Sequence, residues 1–300
     1  MTPLVLWFLL SVIACALAAD LPRIQVALAV QFGPEQNVSA LDVTLQIDDT
    51  QSRAGRPLLQ LDLNHGLTPT LRYDGDALSA SDSRGTLALS YTDTNASDAQ
   101  RTWVPLRDPE GQVSVGLRAV PRATNASTPS GPRIDLRADQ GGAIGMATGF
   151  IPHPPADEDC PVGRRGPLAA TLLGASGTVL SKSYFAVGPL KRWPSWDVAP
   201  GADERPFYVY WIGDLPYDSD RMSGIAKDIH LAISSFFGDA TSPFRVFWRR
   251  VPVGYGGAGG HNSFILEWAD GTAEEQSEEA VTFLLSHETI HEYALMAPTR

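Results

Sequence analysis

Apolar and other residues alternate along the first part of the chain. Ile24, Val26, Leu28, Val30 and Phe32 form one such set, and Leu41, Val43, Leu45 and Ile47 another. Shorter copies follow at Leu59, Leu61 and Leu63, at Leu87, Leu89 and Tyr91, at Val113, Val115 and Leu117, and at Ile134 and Leu136. A period of two turns one side of each segment to a core and the other to solvent, as in a β-strand. Gly, Pro, Asn, Asp and Ser fill the gaps, where turns need them. Many short strands with no helical segment between them predict an antiparallel β-sandwich over 20–190. Nothing in this stretch gathers catalytic residue types, and His65 stands alone.

Near residue 200 the period changes. Trp193, Pro194, Trp196, Pro200 and Gly201 mark 191–204 as an interdomain joint. Beyond it, 205–300 reads as a second domain. Phe207–Ile212 is a dense aromatic strand, and 244–253 and Ser263–Trp268 read as two more. Asp218, Ser219 and Asp220 offer a helix cap. Met222, Ile225, Ile229, Ile233 and Phe236 recur behind it at spacings of three and four, and Gly238 is a stop. A last helix is expected from about Ala273, opened by Glu274, Glu275, Glu278 and Glu279, where negative charge suits the positive end of the helix dipole. The mixture of strands and helices makes the chain α+β.

The first 19 residues read as a leader rather than as part of the fold. An apolar run over 4–17 ends in Ala16-Leu17-Ala18, the small-x-small pattern of a signal-peptidase site. Three N-glycosylation sequons, at Asn37, Asn95 and Asn125, agree with a secreted glycoprotein that leaves the membrane after cleavage. The formal net charge of −11 argues against nucleic acid as a partner, because phosphate binding needs clustered positive charge. Losing Cys15 with the leader would strand Cys160, so the mature fold is expected to do without an internal disulfide. Acidic neighbours at Asp157, Glu158 and Asp159 make that thiol a poor nucleophile.

The last helix carries the chemistry, in His287-Glu288-Thr289-Ile290-His291. Two histidines four residues apart lie on one helix face and can hold one zinc ion through their imidazoles. Glu288 beside them is placed to take a proton from a zinc-bound water. Ala280, Leu284, His287, His291 and Leu295 share one face, so the histidines are expected to extend a core-facing stripe. A second motif, Gly254, Gly256, Gly257 and Gly259, matches a dinucleotide fingerprint literally. It leads into a strand rather than a helix, which removes the dipole a phosphate needs. It reads instead as a loop that lets a strand edge lie close to a substrate or to the helix below it.

This order of strand, glycine-rich turn, Asn262-Ser263, strand and His-Glu-x-x-His helix resembles the glycyl aminopeptidase family of gluzincin zinc metallopeptidases over roughly 205–296. The resemblance implies a β-rich N-terminal domain ahead of a thermolysin-like catalytic domain, with zinc as cofactor and a peptide or protein as substrate. It implies His287 and His291 as metal ligands, Glu288 as general base, and Gly257, Ala258, Gly259 and Gly260 of the glycine-rich loop as substrate-binding residues. The family's third ligand is a glutamate on a later helix, and only nine residues follow His291. The expectation is therefore an incomplete catalytic domain that is weakly active or inactive. The alternative is a non-catalytic secreted β-sandwich binding protein with a decayed protease half. The glycine stretch also lacks the glutamate that exopeptidases of this kind use to hold a substrate's amino terminus.

Overall fold

The computed structural model describes residues 24–48, 52–65, 68–94, 99–125, 127, 134–155, 162–164, 180–198, 205–239, 243–269 and 277–294. The expected leader, Asn95 and Cys160 lie outside the described residues.

The first half is strands. They are β1 (Ile24–Phe32), β2 (Val38–Ile47), β3 (Leu59–Asp62), β4 (Asn64–His65), β5 (Thr68–Pro69), β6 (Leu78–Asp82), β7 (Gly85–Thr86), β8 (Leu89–Asp93), β9 (Gln100–Pro105), β10 (Val113–Ala119), β11 (Arg137–Asp139), β12 (Gly142–Met146), β13 (Val162–Arg164) and β14 (Tyr184–Val187). A six-stranded sheet runs in the order β13-β1-β2-β10-β6-β7, and three-stranded sheets run β3-β9-β8 and β11-β12-β14. The alternating residues do what their period requires. Val43, Leu45 and Val115 of the large sheet meet Leu59, Leu61 and Trp103 of the β3-β9-β8 sheet in one core. Ile134 and Leu136 are buried but precede β11 rather than forming a strand.

The second half is built on a five-stranded mixed sheet. Its strands are β15 (Leu190–Trp193), β16 (Phe207–Ile212), β17 (Phe244–Arg250), β18 (Gly256–Gly260) and β19 (Ser263–Trp268), in the order β15-β16-β17-β19-β18. The three central strands are parallel. Helix α1 (Ser219–Phe236) connects β16 to β17, and helix α2 (Glu278–Ala294) follows β19. No helix among the described residues is long and apolar enough to cross a membrane.

Both faces of this sheet are covered, so its strands read as nearly continuous apolar runs. Phe207, Val209, Phe244, Val246, Trp248, Phe264 and Leu266 face the helices and pack with Val281 and Leu285. Phe247, Ile212 and Ile265 face the other way and pack with Ile134, Ile144, Met146 and Tyr184 of the first half.

Three expectations need correction. The 191–204 joint is partly strand, because Leu190–Trp193 pairs antiparallel with β16 as an edge of the second sheet. The glycine-rich loop is strand β18, which pairs antiparallel with β19 from Gly256 opposite Glu267 to Gly260 opposite Ser263. The buried face of α1 is Met222, Ser223, Ala226, His230 and Ser234, while Phe236 is 84% exposed. Small and polar side chains let that face lie close to its neighbours, and the isoleucines sit on its flank. The expected cap holds, since Asp218 Oδ1 accepts from the Arg221 backbone N–H at 3.0 Å.

Charge joins the halves. Arg249 of β17 and Glu267 of β19 point at the first half, where both are buried with Asp135 and Arg137. Arg249 Nε donates to Glu267 Oε1 at 2.9 Å, and its Nη1 donates to the backbone oxygens of Asp135 at 2.9 Å and Ile144 at 2.6 Å. Arg137 bridges Asp135 at 2.7 Å and Glu267 at 3.3 Å. Arg122, at the more exposed edge of the cluster, also bridges Asp135 at 3.3 Å, so each buried carboxylate is paired with arginine, which is the condition for burying such charges.

Asp139 of β11 lies in the same joint. Its carboxylate accepts from the Arg250 backbone N–H at 3.2 Å and from Gln140 Nε2 at 3.3 Å. Burial outweighs those bonds and the nearby Arg249 and Arg250 charges, and pushes its pKa up to about 6. The folded chain then keeps this proton to a higher pH than the unfolded chain does. The contribution to stability is present below the ordinary carboxylate range and is lost as pH rises through about 6. Asp139→Asn, which keeps an acceptor, is therefore expected to stabilise the fold at pH 7 by up to about 3 kcal/mol, at about 1.4 kcal/mol per pKa unit, and to be neutral near pH 4. Urea midpoints at the two pH values check this. A variant destabilised at pH 7 contradicts it.

Candidate active site

Helix α2 runs beneath strand β18. Its sheet-facing side is Val281, Leu285, Glu288 and Thr289, all buried. This corrects the expected stripe, because His287 and His291 are exposed and lie on the flank of α2 rather than in the core. Burying Val281 and Leu285 contributes roughly 1.5–3 kcal/mol each. Glu288 takes the next core-facing place because Gly257 makes room for it. A Cβ built on Gly257 would stand 2.7 Å from Glu288 Cγ and 2.9 Å from its Oε1. Two residues on, a Cβ at Gly259 would be 3.8 Å from His291 Cβ. The glycine strand thus lies directly on the motif helix, with a carboxyl side chain wedged between them at only 6% exposure.

The two imidazoles converge. His287 Nε2 and His291 Nε2 are 2.9 Å apart, with ring centroids at 4.6 Å and planes crossing at 84°. Two imidazole nitrogens on one tetrahedral zinc stand about 3.3 Å apart, given Zn–N bonds near 2.0–2.1 Å. A small outward turn of each ring would admit the ion. The pair fits two of the three protein ligands of a catalytic zinc, but the described residues do not complete the set. Among them no group of three His, Cys, Asp or Glu could hold a metal.

The His65 side chain is outside the described residues, and the other three histidines are engaged elsewhere. His153 is buried, with Nδ1 2.9 Å from the Pro154 oxygen. His230 lies inside α1 with its ring 4.3 Å from that of Phe244, and burial lowers its pKa to about 4. His261 is in the β18–β19 turn. Its backbone N–H donates to the Lys182 oxygen at 2.9 Å. Burial, with Lys182 and Arg245 nearby, holds its pKa below the usual imidazole value. The Glu292 side chain is outside the described residues.

Gly257, Ala258, Gly259 and Gly260 occupy the edge of the sheet, beside Glu288 and the histidines. The far end of that edge is fixed from the first half. Tyr184 Oη donates to the Ala258 oxygen at 3.1 Å, and a Cβ at Gly260 would lie 2.7 Å from the Lys182 oxygen. Tyr184, on a strand of another sheet, and Lys182, in the turn before it, carried no sequence signal, being some 75 residues away. Of the sequons, Asn37 and Asn125 are exposed, as a modified asparagine must be.

No family model matches the chain. No curated protein sequence matches it either. Solved structures do match in fold. An aminopeptidase N family protein from Idiomarina loihiensis superposes with a TM-score of 0.57 at 15% identity, over 92% of this chain and 48% of that one. The M1 zinc metallopeptidase of Deinococcus radiodurans gives 0.46 at 18% identity, over 90% of this chain and 64% of that one. A variant of that enzyme bound to a Tyr-Ser-Ala substrate gives 0.48 at 15% identity. The fold is thus similar to that of the aminopeptidase N family protein, mostly β-sheet with few helices. The chain spans about half the length of the Idiomarina protein.

The Gly257 contact is testable. Gly257→Ala is expected to destabilise by about 1–3 kcal/mol through overpacking against Glu288. In a Glu288→Ala background the cost should largely vanish, giving a coupling of about 1 kcal/mol or more. Denaturant unfolding of the four proteins in this cycle measures it. Strictly additive effects contradict the contact.

Proposed function

We propose that the chain carries the first part of a zinc peptidase centre, in a secreted and glycosylated protein of aminopeptidase-like, glycyl aminopeptidase type. On this reading a β-sandwich over 20–190 precedes a partial thermolysin-like domain over 205–300. The observation that carries it is the convergence of the two Nε2 atoms, 2.9 Å apart, beside a carboxyl side chain held under Gly257. His287 and His291 would hold the metal, and a third ligand would come from outside the described residues. Bound zinc supplies a water acidic enough to yield hydroxide near neutral pH.

The chain's own residues do the rest. Glu288 is held by strand and helix at a fixed depth, where a carboxylate oxygen can accept a proton and later return it to a leaving amine. The Gly257–Gly260 edge offers backbone groups, without side chains in the way, to an extended peptide. That strand has no acidic side chain, so an amino terminus gains no counter-charge from it. Two protein ligands hold zinc weakly, so turnover depends on that third donor. The missing third donor among the described residues also favours a second reading, a non-catalytic secreted binding protein with a decayed protease half.

Zinc binding by the purified chain and hydrolysis of short peptides test this. Zinc retention is expected to fall in His287→Ala and to persist in Glu288→Gln. Any peptidase activity is expected to drop at least about a hundredfold in Glu288→Gln. Activity unchanged by that substitution rules out the mechanism, while a chain that binds no zinc supports the second reading.

A further inference from the structure

Strand β18 differs at its two ends. At the Gly257 end the neighbouring side chain is an acid, since Glu288 packs under Gly257. Glu267, opposite Gly256, is already paired with Arg137 and Arg249. At the Gly260 end the strand is closed by the first half. The His261 backbone N–H, the next donor along the chain, is taken by the Lys182 oxygen at 2.9 Å. Tyr184 Oη donates to the Ala258 oxygen at 3.1 Å, and its ring stands 2.9 Å from where a Gly260 Cβ would be. An extended peptide laid on this edge has to end there. From Gly257 to Gly260 is three steps of ~3.4 Å, about 10 Å in all, which suits a peptide of about three or four residues.

The groups at the closed end are basic. Lys182 is exposed there, and among the described residues no carboxylate pairs with it. Arg245 starts β17 beside the same turn, where its backbone N–H donates to the Asn262 oxygen at 3.0 Å, and its guanidinium bonds the Tyr210 hydroxyl. Burial, then the Lys182 and Arg245 charges, hold the His261 pKa down, so both cations lie within electrostatic reach of the turn. An amino terminus at this end would meet like charge, whereas a carboxylate meets opposite charge. In a chain of net charge −11, a basic end without a carboxylate of its own is open to one from outside.

We propose that the β18 edge takes short peptides by their free carboxylate end, seated at the closed Gly260 end against Lys182, with Arg245 adding to the field. This rests on the peptide edge of the proposed function and names the end of the peptide that it holds. The rest of the peptide runs back towards Gly257, over Glu288 and the histidine pair. Interior segments of a protein carry no terminal charge and cannot run past Lys182 and Tyr184, so they are poor ligands.

Calorimetry on the full Glu288→Gln chain with zinc supplied, so that no peptide is consumed, tests this with tetra-alanine, its C-terminal amide and its N-acetyl form. Amidation is expected to weaken binding about tenfold or more, the size of a charge-assisted contact, and acetylation less than about threefold. Lys182→Met should bring tetra-alanine down towards its amide, while Lys182→Arg keeps the preference. The bond from Lys182 to His261 is made by backbone, so neither substitution removes it. A preference that survives Lys182→Met in full overturns the seat. The amide of Ala-Ala-Asp-Ala binding as tightly as tetra-alanine overturns the assignment to a chain end in favour of an acidic side chain. Equal binding of acid and amide, with zinc bound, overturns the seat and leaves the zinc reading standing. The expected preference in a chain that takes up no zinc keeps the seat and removes the zinc centre. Binding of none of these peptides overturns the seat and the peptide edge together.

Discussion

Where strand β18 crosses helix α2, the two come so close that one added methyl at position 257 would overlap the Glu288 side chain. The site's geometry depends on that approach. It buries a carboxyl side chain in the helix face that also carries Val281, Leu285 and Thr289. It also fixes the rotation of α2 about its axis. With 281, 285 and 288 inward, His287 and His291 are turned to the flank, where their Nε2 atoms meet in solvent. Had the helix rolled to bury the histidines, the pair would be closed to a metal and to a peptide alike. The same glycines leave the sheet edge short of side chains, with Gly259 exposed and the far end covered by Tyr184 and Lys182.

The sheet that carries this edge is held against the first half by paired charge as well as by apolar packing. Arg249 and Glu267 lie on neighbouring strands and face Asp135 and Arg137 from the other half. Such a cluster adds little net stability compared with apolar residues, but removing one member strands the others and costs about 3–5 kcal/mol. It therefore sets the register of the two halves more than it strengthens the joint. Tyr184 and the Lys182 backbone extend that register to the end of β18.

What could be read from the sequence follows from which side chains carry a periodic signal. β1, β2, β10, β16 and β19 alternate or run apolar, and the structure has strands there. The His-Glu-x-x-His spacing placed both imidazoles on one helix side. The glycines of β18 carry no side-chain pattern, so a strand looked like a loop. β15 was hidden because Trp193, Pro194 and Trp196 read as a joint. The buried faces of both helices were obscured for a shared reason. Ser223, His230, Ser234, Glu288 and Thr289 are polar residues buried by close contacts that only the tertiary fold supplies. Arg249 and Glu267 are charged residues buried for the same reason, because both sides of the sheet are covered.

The account turns on one point in space, midway between two nitrogens. Anomalous diffraction at the zinc edge from crystals grown with the metal locates it. The account predicts a peak bonded to both Nε2 atoms, with the nitrogens moved apart from 2.9 Å to roughly 3.3 Å. Imidazoles still bonded to each other, with zinc elsewhere or nowhere, would contradict it.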